Sequence, residues 1–259
     1  MNTILAIAAV SIKELYRRKD FYVLFVMTAV ITLLMASVNF FNDNNVARIL
    51  KDVCLLLIWV SALVIAIVTT ARQIPAEREQ RTIFPLLAKP VTRGQVILGK
   101  FAGCWLASGM ALLVFYVFFG IISASREHHW AFELFLKGLW LHWVMLAVVV
   151  GMSLLGSVVF AAPSSNSTIC FVVVAGILLL GGHLGQVALQ QPEPLRTVVY
   201  SVYFLIPHLE WYDQRQQIVN NQDIAGWGYC GGATLYAALY VAMLLYATWL
   251  VFRRKTLTT

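Results

Sequence analysis

"TRGQVILGKFAGCWLASGMALLVFYVFFGIISA", residues 92–124, admits two readings, and the choice between them decides the fold. Gly94, Gly99 and Lys100 stand at the spacing of a phosphate-binding loop, Gly-x-x-x-x-Gly-Lys followed by Ser or Thr, with Phe101 where the hydroxyl belongs. In such a loop the glycines turn the chain after a strand, and free amides at a helix N-terminus cradle the phosphate. Here no apolar strand precedes the glycines, and no hydroxyl follows Lys100 to reach magnesium. Thr92 and Gln95 read instead as a T-x-x-Q capping box, flanked by Val91 and Val96 at the positions of a hydrophobic staple. A helix that starts there has Gly94 at its second position and Gly99 two turns in, so intrahelical bonds consume their amides. Carried on to Ala124, the helix would be about 48 Å long at 1.5 Å per residue. That exceeds the roughly 30 Å hydrocarbon layer, so part of it must project, tilt or break. The stretch therefore predicts a membrane helix with Gly99 and Gly103 as a small-xxx-small packing face. Direct nucleotide binding by this chain is not expected.

The rest of the chain agrees. Of its 259 residues 60% are hydrophobic and only 12% charged, about half the charge of a typical soluble domain. Six apolar runs are long enough to cross a bilayer: 21–41, 53–71, 96–124, 137–161, 168–189 and 229–252. The prediction is one all-α polytopic membrane domain over 1–259, with no separate soluble domain and no internal repeat. Cys54, Cys104, Cys170 and Cys230 lie far apart in or beside apolar runs, without a CxxC pair, and read as buried thiols.

The net charge of +7 would point to nucleic acid in a soluble protein, but here its placement is what matters. Lys13, Arg17, Arg18 and Lys19, then Arg72, Arg78, Arg81, Lys89, Arg93 and Lys100, then Arg253, Arg254 and Lys255 fall on one side of a six-span topology. The other side holds Arg48, Lys51, Arg126, Lys137, Arg196 and Arg215. The positive-inside rule then places both termini and the 72–100 segment in the cytoplasm. Trp130, Trp140, Tyr203, Trp211 and Trp227 fit an interfacial belt at the outer ends. Residues 1–20 are too polar to span. Ile4, Ala8, Ile12 and Leu15 share one helical face, with Lys13 and Arg17 opposite, as in a helix lying on the inner membrane surface.

Within the spans, ionisable groups are nearly absent: His142 in the fourth and His183 near the end of the fifth. Such groups are costly in lipid and kept for function. Their scarcity argues against an ion-coupled carrier and against an intramembrane acid/base enzyme, so a pump built on this chain must draw its energy from elsewhere. His142 and His183 read as interhelical hydrogen-bond partners. Metal binding is not expected at His128, His129 or His208, because adjacent histidines point apart on a helix and no Met or Cys cluster supports them.

The segment "ARQIPAEREQRTIFPLLAKPVTRGQ", residues 71–95, is the obvious handle between two spans. Pro75 suits a first helical turn, with Glu77 and Glu79 behind it at the positive end of the dipole. Ile83, Leu86 and Leu87 form an apolar stripe, and Pro85 ends or kinks that helix. Such an element suits a groove on a partner. Near the other end, "LRTVVYSVYFLIP", residues 195–207, is apolar and aromatic but too short to span, and fits a re-entrant or interfacial helix within the outer loop 190–228.

These features resemble the permease subunits of ATP-binding-cassette exporters of the type-2 class. The resemblance is carried by Glu77-Arg78-Glu79, by Thr82 to Leu87, by Lys89-Pro90-Val91-Thr92-Arg93 and by Gly99-Lys100-Phe101. "SIKELYRRKDF" resembles the interfacial helix ahead of the first span, and "LIPHLEWYD" an outer proline element of the same class. The 72–101 block looks most like permeases of multicopper-enzyme and nitrous-oxide-reductase maturation, although Arg81 stands where many members have Gly and Pro85 falls inside the element.

The resemblance implies a second copy of the permease and two copies of a separate ATPase, which binds ATP and Mg so that this chain carries no cofactor. It implies a bacterial or archaeal cytoplasmic membrane. It implies a coupling element over 72–92 with ATPase contacts from Glu77, Glu79, Arg81, Thr82, Ile83, Leu86 and Leu87. Pro90, Thr92 and Gln95 would be its cap and hinge. The function expected is a transmembrane export permease that moves an unidentified substrate. The alternatives are an anchor that recruits an ATPase without translocation, and a lipid-acting enzyme, for which no paired carboxylates or Ser/His/Asp set can be placed at one depth.

Overall fold

Capping residues and prolines punctuate the chain where the apolar runs begin and end, and the helices follow that punctuation. The computed structural model describes residues 3–17, 22, 26, 29–30, 33, 44–79, 92–127, 132–190, 192–193, 195–222 and 226–254. The elements are α1 (Thr3–Tyr16), α2 (Asn44–Ala71), α3 (Gln73–Glu79), α4 (Arg93–Glu127), α5 (Phe132–Val159), α6 (Pro163–Gln190), α7 (Leu195–Leu205), a 3-10 turn (Leu209–Tyr212), α8 (Arg215–Val219) and α9 (Trp227–Arg254). No strand occurs among the described residues. Among the described residues five apolar helices are long enough to cross a membrane, namely α2 with α3, α4, α5, α6 and α9. Most of the predicted first span, 21–41, lies outside the described residues, as do His128 and His129.

The predicted capping box forms. The Thr92 N–H donates to Gln95 Oε1 at 3.0 Å, and the Gln95 N–H donates to Thr92 Oγ1 at 3.3 Å. The helix starts at Arg93, so Gly94 is its second residue. Between α2 and α3 the chain resets at Arg72, because Pro75 has no N–H to offer the Ala71 carbonyl. The Ala76 N–H picks up the ladder again on Arg72 O at 3.0 Å.

The fifth predicted span, 168–189, lies on a helix that starts earlier than that run. The non-helical stretch is only 160–162, and Pro163 opens α6, where its missing N–H has no intrahelical partner to lose. Asn166, fully buried, uses this position to reach back to α5: its Nδ2 donates to Ser153 O at 3.0 Å, and Cys170 Sγ donates to its Oδ1. Gly156 makes room for it, since a Cβ there would collide with Asn166 Oδ1. Gly156→Ala is therefore expected to destabilise the chain by about 1–3 kcal/mol through overpacking. Thermal denaturation in detergent reads this, against Gly176→Ala, whose added Cβ meets nothing within 4 Å.

The centre of the bundle is α5, which packs against α2, α4, α6 and α9. Leu141, Met145, Leu146, Val149, Val150 and Leu154 are fully enclosed, facing Leu55, Ile58 and Ile67 of α2 and Leu112 and Phe115 of α4. A helix apolar all round can be buried all round. By contrast α9 leaves Leu235, Leu239, Met243 and Tyr246 exposed in a stripe, and α6 leaves Val172, Leu179 and Leu180 exposed. His142 lies in the core at 1% exposure, 5.8 Å from the Trp59 ring and 6.0 Å from Tyr116. Neither ring nitrogen has a hydrogen-bond partner among the described residues, so the interhelical bond predicted for His142 is replaced by aromatic packing. The His183 side chain lies outside the described residues.

Candidate functional site

The end of the bundle that carries α1 and the close of α9 is held by polar contacts unusual for so apolar a chain. Arg93 Nη1 donates to Phe252 O at 2.8 Å and to Arg253 O at 3.0 Å. The first residue of α4 thus satisfies carbonyls that the last turn of α9 leaves open, and places a cation at the negative end of that helix.

Gly99 of the loop look-alike and Gly103 one turn on face α1, while Gly94 faces Trp249 of α9. A Cβ on Gly99 would fall 2.8 Å from Ile7 Cβ and 3.1 Å from Ile4 O. One on Gly103 would fall 2.7 Å from Ser11 Cβ and 2.9 Å from Ala8 O. The small-residue face predicted on α4 is therefore a seat for α1, whose Ala8 and Ser11 are buried and whose Ile4 and Ile12 are half-buried. The face of α1 expected to lie on the membrane meets α4 instead, because two glycines one turn apart let the backbones approach. Leu5 and Val10 are exposed on the other side. The Leu15 side chain lies outside the described residues.

Lys100, the residue that made the stretch look like a nucleotide loop, is 3% exposed and turned into the protein. Its three N–H donors find three oxygens: Glu77 Oε1 at 2.7 Å, Gln73 O at 3.2 Å and Gln73 Oε1 at 3.2 Å. Ser11 Oγ donates to the same Gln73 Oε1 at 3.3 Å. One ammonium therefore joins α4 to α3, and through Gln73 to α1. Gln73, Ile74 and Pro75 are buried at this joint. A buried ion pair with every donor matched is retained because losing one partner strands the other charge in a poor solvent.

Of the sequence-predicted contact residues, Glu77 lies in this joint with its Oε1 on Lys100, and Glu79 is exposed on α3. Thr92 and Gln95 cap α4. Arg81, Thr82, Ile83, Leu86, Leu87 and Pro90 lie outside the described residues. Sequence reading missed the partners Gln73 and Ser11, and it used Lys100 for topology and for the Gly99-Lys100-Phe101 resemblance without giving it a contact. The available signals were a lysine two turns inside an amphipathic start and a serine on the apolar side of α1.

The opposite end is capped by α7, the 3-10 turn and α8, the short helices predicted for 190–228. Tyr212 Oη donates to Ala233 O at 2.7 Å and Tyr229 Oη to Trp211 O at 2.7 Å, fastening the cap to α9. His208 packs at a tilt against Tyr203 at 4.3 Å and stacks on Trp211 at 4.9 Å, with Nδ1 3.1 Å from Glu210 Oε1. Burial pushes the Tyr212 hydroxyl above the usual phenol range.

Residues 5–257 match the family model described as ABC-2 family transporter protein. No curated protein matches the chain.

Proposed function

The chain belongs to the ABC-2 family of transporter proteins, so it is the multi-pass membrane component of an ABC transporter and not its ATPase, and we propose that it is an export permease worked by a separate ABC ATPase through residues 72–92. The observation that carries the coupling role is the Lys100 joint. The first helix of the 72–92 element is not a loose loop but is tied by a buried ammonium to α4 and α1. A push delivered to α3 would reach α4 and α1 through that contact. The apolar stripe of Ile83, Leu86 and Leu87 would seat in the ATPase, with Glu79, Arg81 and Thr82 around it. Glu77 then acts mainly from within, as the partner of Lys100.

The complex is proposed as two permease copies and two ATPases, with ATP and Mg held by the ATPases. Both termini and the 72–92 element face the cytoplasm of a bacterial or archaeal cell. The support for this orientation is the clustering of Lys13, Arg17, Arg72, Arg78, Arg93, Arg253 and Arg254 at one end of the helices. The exposed stripes on α6 and α9 are suited to lipid or to the second copy. The finer placement beside permeases of multicopper-enzyme maturation rests on the 72–101 block alone.

Leu86→Asp with Leu87→Asp is expected to abolish co-purification of the ATPase while the permease still reaches the membrane. An unchanged complex with unchanged ATP hydrolysis would remove the assigned contact. Reconstituted vesicles separate the permease from an anchor, which would recruit the ATPase yet show no ATP-dependent translocation.

A further inference from the structure

At one corner of the bundle the close of α9 meets the start of α4. Arg253 and Arg254 are exposed there, and Arg93 is half-buried beside them. Two of the three guanidiniums are held over rings. Arg253 Cζ lies 5.5 Å from the centre of the Trp249 ring, and Arg93 Cζ lies 5.6 Å from that of Phe252. Arg93 gives Nη1 to the last carbonyls of α9, so the negative end of that helix is already answered by a cation. Among the described residues no hydrogen bond is made by its Nε or Nη2, and no carboxylate pairs with any of the three arginines. Cations that only fix topology need no such placement, since a lysine loose in water serves as well. A planar guanidinium held on a ring has its donors set in one direction, which suits the oxygens of a phosphate.

The same face of α9 runs on from the corner as a graded strip. Trp249 packs over Gly94 of α4 and stacks with Tyr246 at 5.9 Å. Tyr246, Met243, Leu239 and Leu235 are all exposed, at helical spacing from Arg253 and therefore on one face with it. The helix holds no Asp or Glu. Met243 lies about 15 Å from Arg253 along the axis at 1.5 Å per residue, half of the roughly 30 Å hydrocarbon layer. Cation, aromatic pair and hydrocarbon thus succeed one another over the depth of a single leaflet.

We propose that this corner binds an anionic phospholipid, its phosphate on Arg253 and Arg93 and its acyl chain along Tyr246 and Met243. A zwitterionic headgroup brings a cation of its own, which would meet three unpaired arginines. A second copy packed two-fold on this face would bring its own Arg253 and Arg254 to the same end, like charge against like. A free phosphate would leave the hydrocarbon strip uncovered. ATPase recruitment and transport play no part in this binding, so its failure and theirs are read separately.

The full chain is reconstituted in nanodiscs of phosphatidylcholine. Phosphatidylglycerol or phosphatidylcholine, brominated near the carbonyl end of the acyl chains, is then titrated in. Bromine quenches indole on contact, and the difference from Trp249→Phe isolates the Trp249 signal. Trp249 is expected to report about fivefold stronger association with phosphatidylglycerol, the factor that one basic residue at the bilayer surface gives. Arg253→Gln is expected to lower that ratio at least twofold, and Arg93→Gln with Arg253→Gln to bring it close to one. Lys13→Gln with Arg17→Gln removes equal charge from exposed positions at the end of α1 and should leave the ratio unchanged. Equal quenching by the two lipids, an equal loss in the Lys13 and Arg17 variant, or an unchanged ratio in both arginine variants would each overturn the site. Quenching by neither lipid would show this face covered by protein and would overturn it as well.

Discussion

Lys100→Met is expected to cost the transporter at least tenfold in ATP-driven transport while the chain still inserts into the membrane. The substitution keeps the length and apolar stem of the side chain and removes only the ammonium. Glu77 and Gln73 Oε1 then lose the donor that sits 2.7 and 3.2 Å away. Removing one member of a buried pair costs about 3–5 kcal/mol. The lower part of that range applies, because the Glu77 side chain keeps 27% exposure and can be rehydrated.

The loss falls at the start of the 72–92 element, so the ATPase would still bind through the distal apolar stripe but its push would no longer pass from α3 to α4 and α1 across the Lys100 contact. The expected signature is hydrolysis without translocation in proteoliposomes. Lys100→Arg, which keeps the charge, should retain more transport than Lys100→Met. Wild-type transport and wild-type thermal stability in Lys100→Met would show the joint to be incidental.

The second large effect is expected from Gly103→Leu. A Cβ at this position would approach the backbone of α1, 2.9 Å from Ala8 O and 3.0 Å from Ala8 Cα, and backbone cannot swing aside as a side-chain tip can. The two helices must separate, which exposes Ala8 and Ser11 and draws Ser11 off Gln73. Overpacking of a tight core costs about 1–3 kcal/mol, and here it is added to the loss of the α1 seat.

Trypsin cleavage after Lys13 or Arg17 reads the detachment directly and should run several-fold faster in Gly103→Leu. Gly120→Leu on the same helix is the control, since its added Cβ meets nothing within 4 Å. Equal cleavage rates in the two variants would mean that α1 does not depend on this contact.

Helices and their limits were readable where local chemistry alone decides them. The Thr92–Gln95 box, Pro75 in a first turn and the apolar runs specify α3, α4 and the five described spans regardless of neighbours. Pro163 was harder: the fifth apolar run reads as starting at 168 until Asn166 has a place to go, and that place is the Ser153 carbonyl on another helix. His142 shows the reverse error. A lone histidine in a span suggests a hydrogen bond, yet Trp59 and Tyr116 surround it with rings.

By itself the order of residues determined that this chain is a multi-span α-helical membrane protein in which residues 93–101 open a capped helix. Hydrophobic length, capping and charge asymmetry act along a few turns of chain and need no partner to be read. Only the tertiary structure decided which oxygens Lys100 meets and what Gly99 and Gly103 seat. Each of those depends on groups brought together from distant helices. A side chain carries the same letter whether its donors are matched or not, and only packing sets which oxygens come within reach of it.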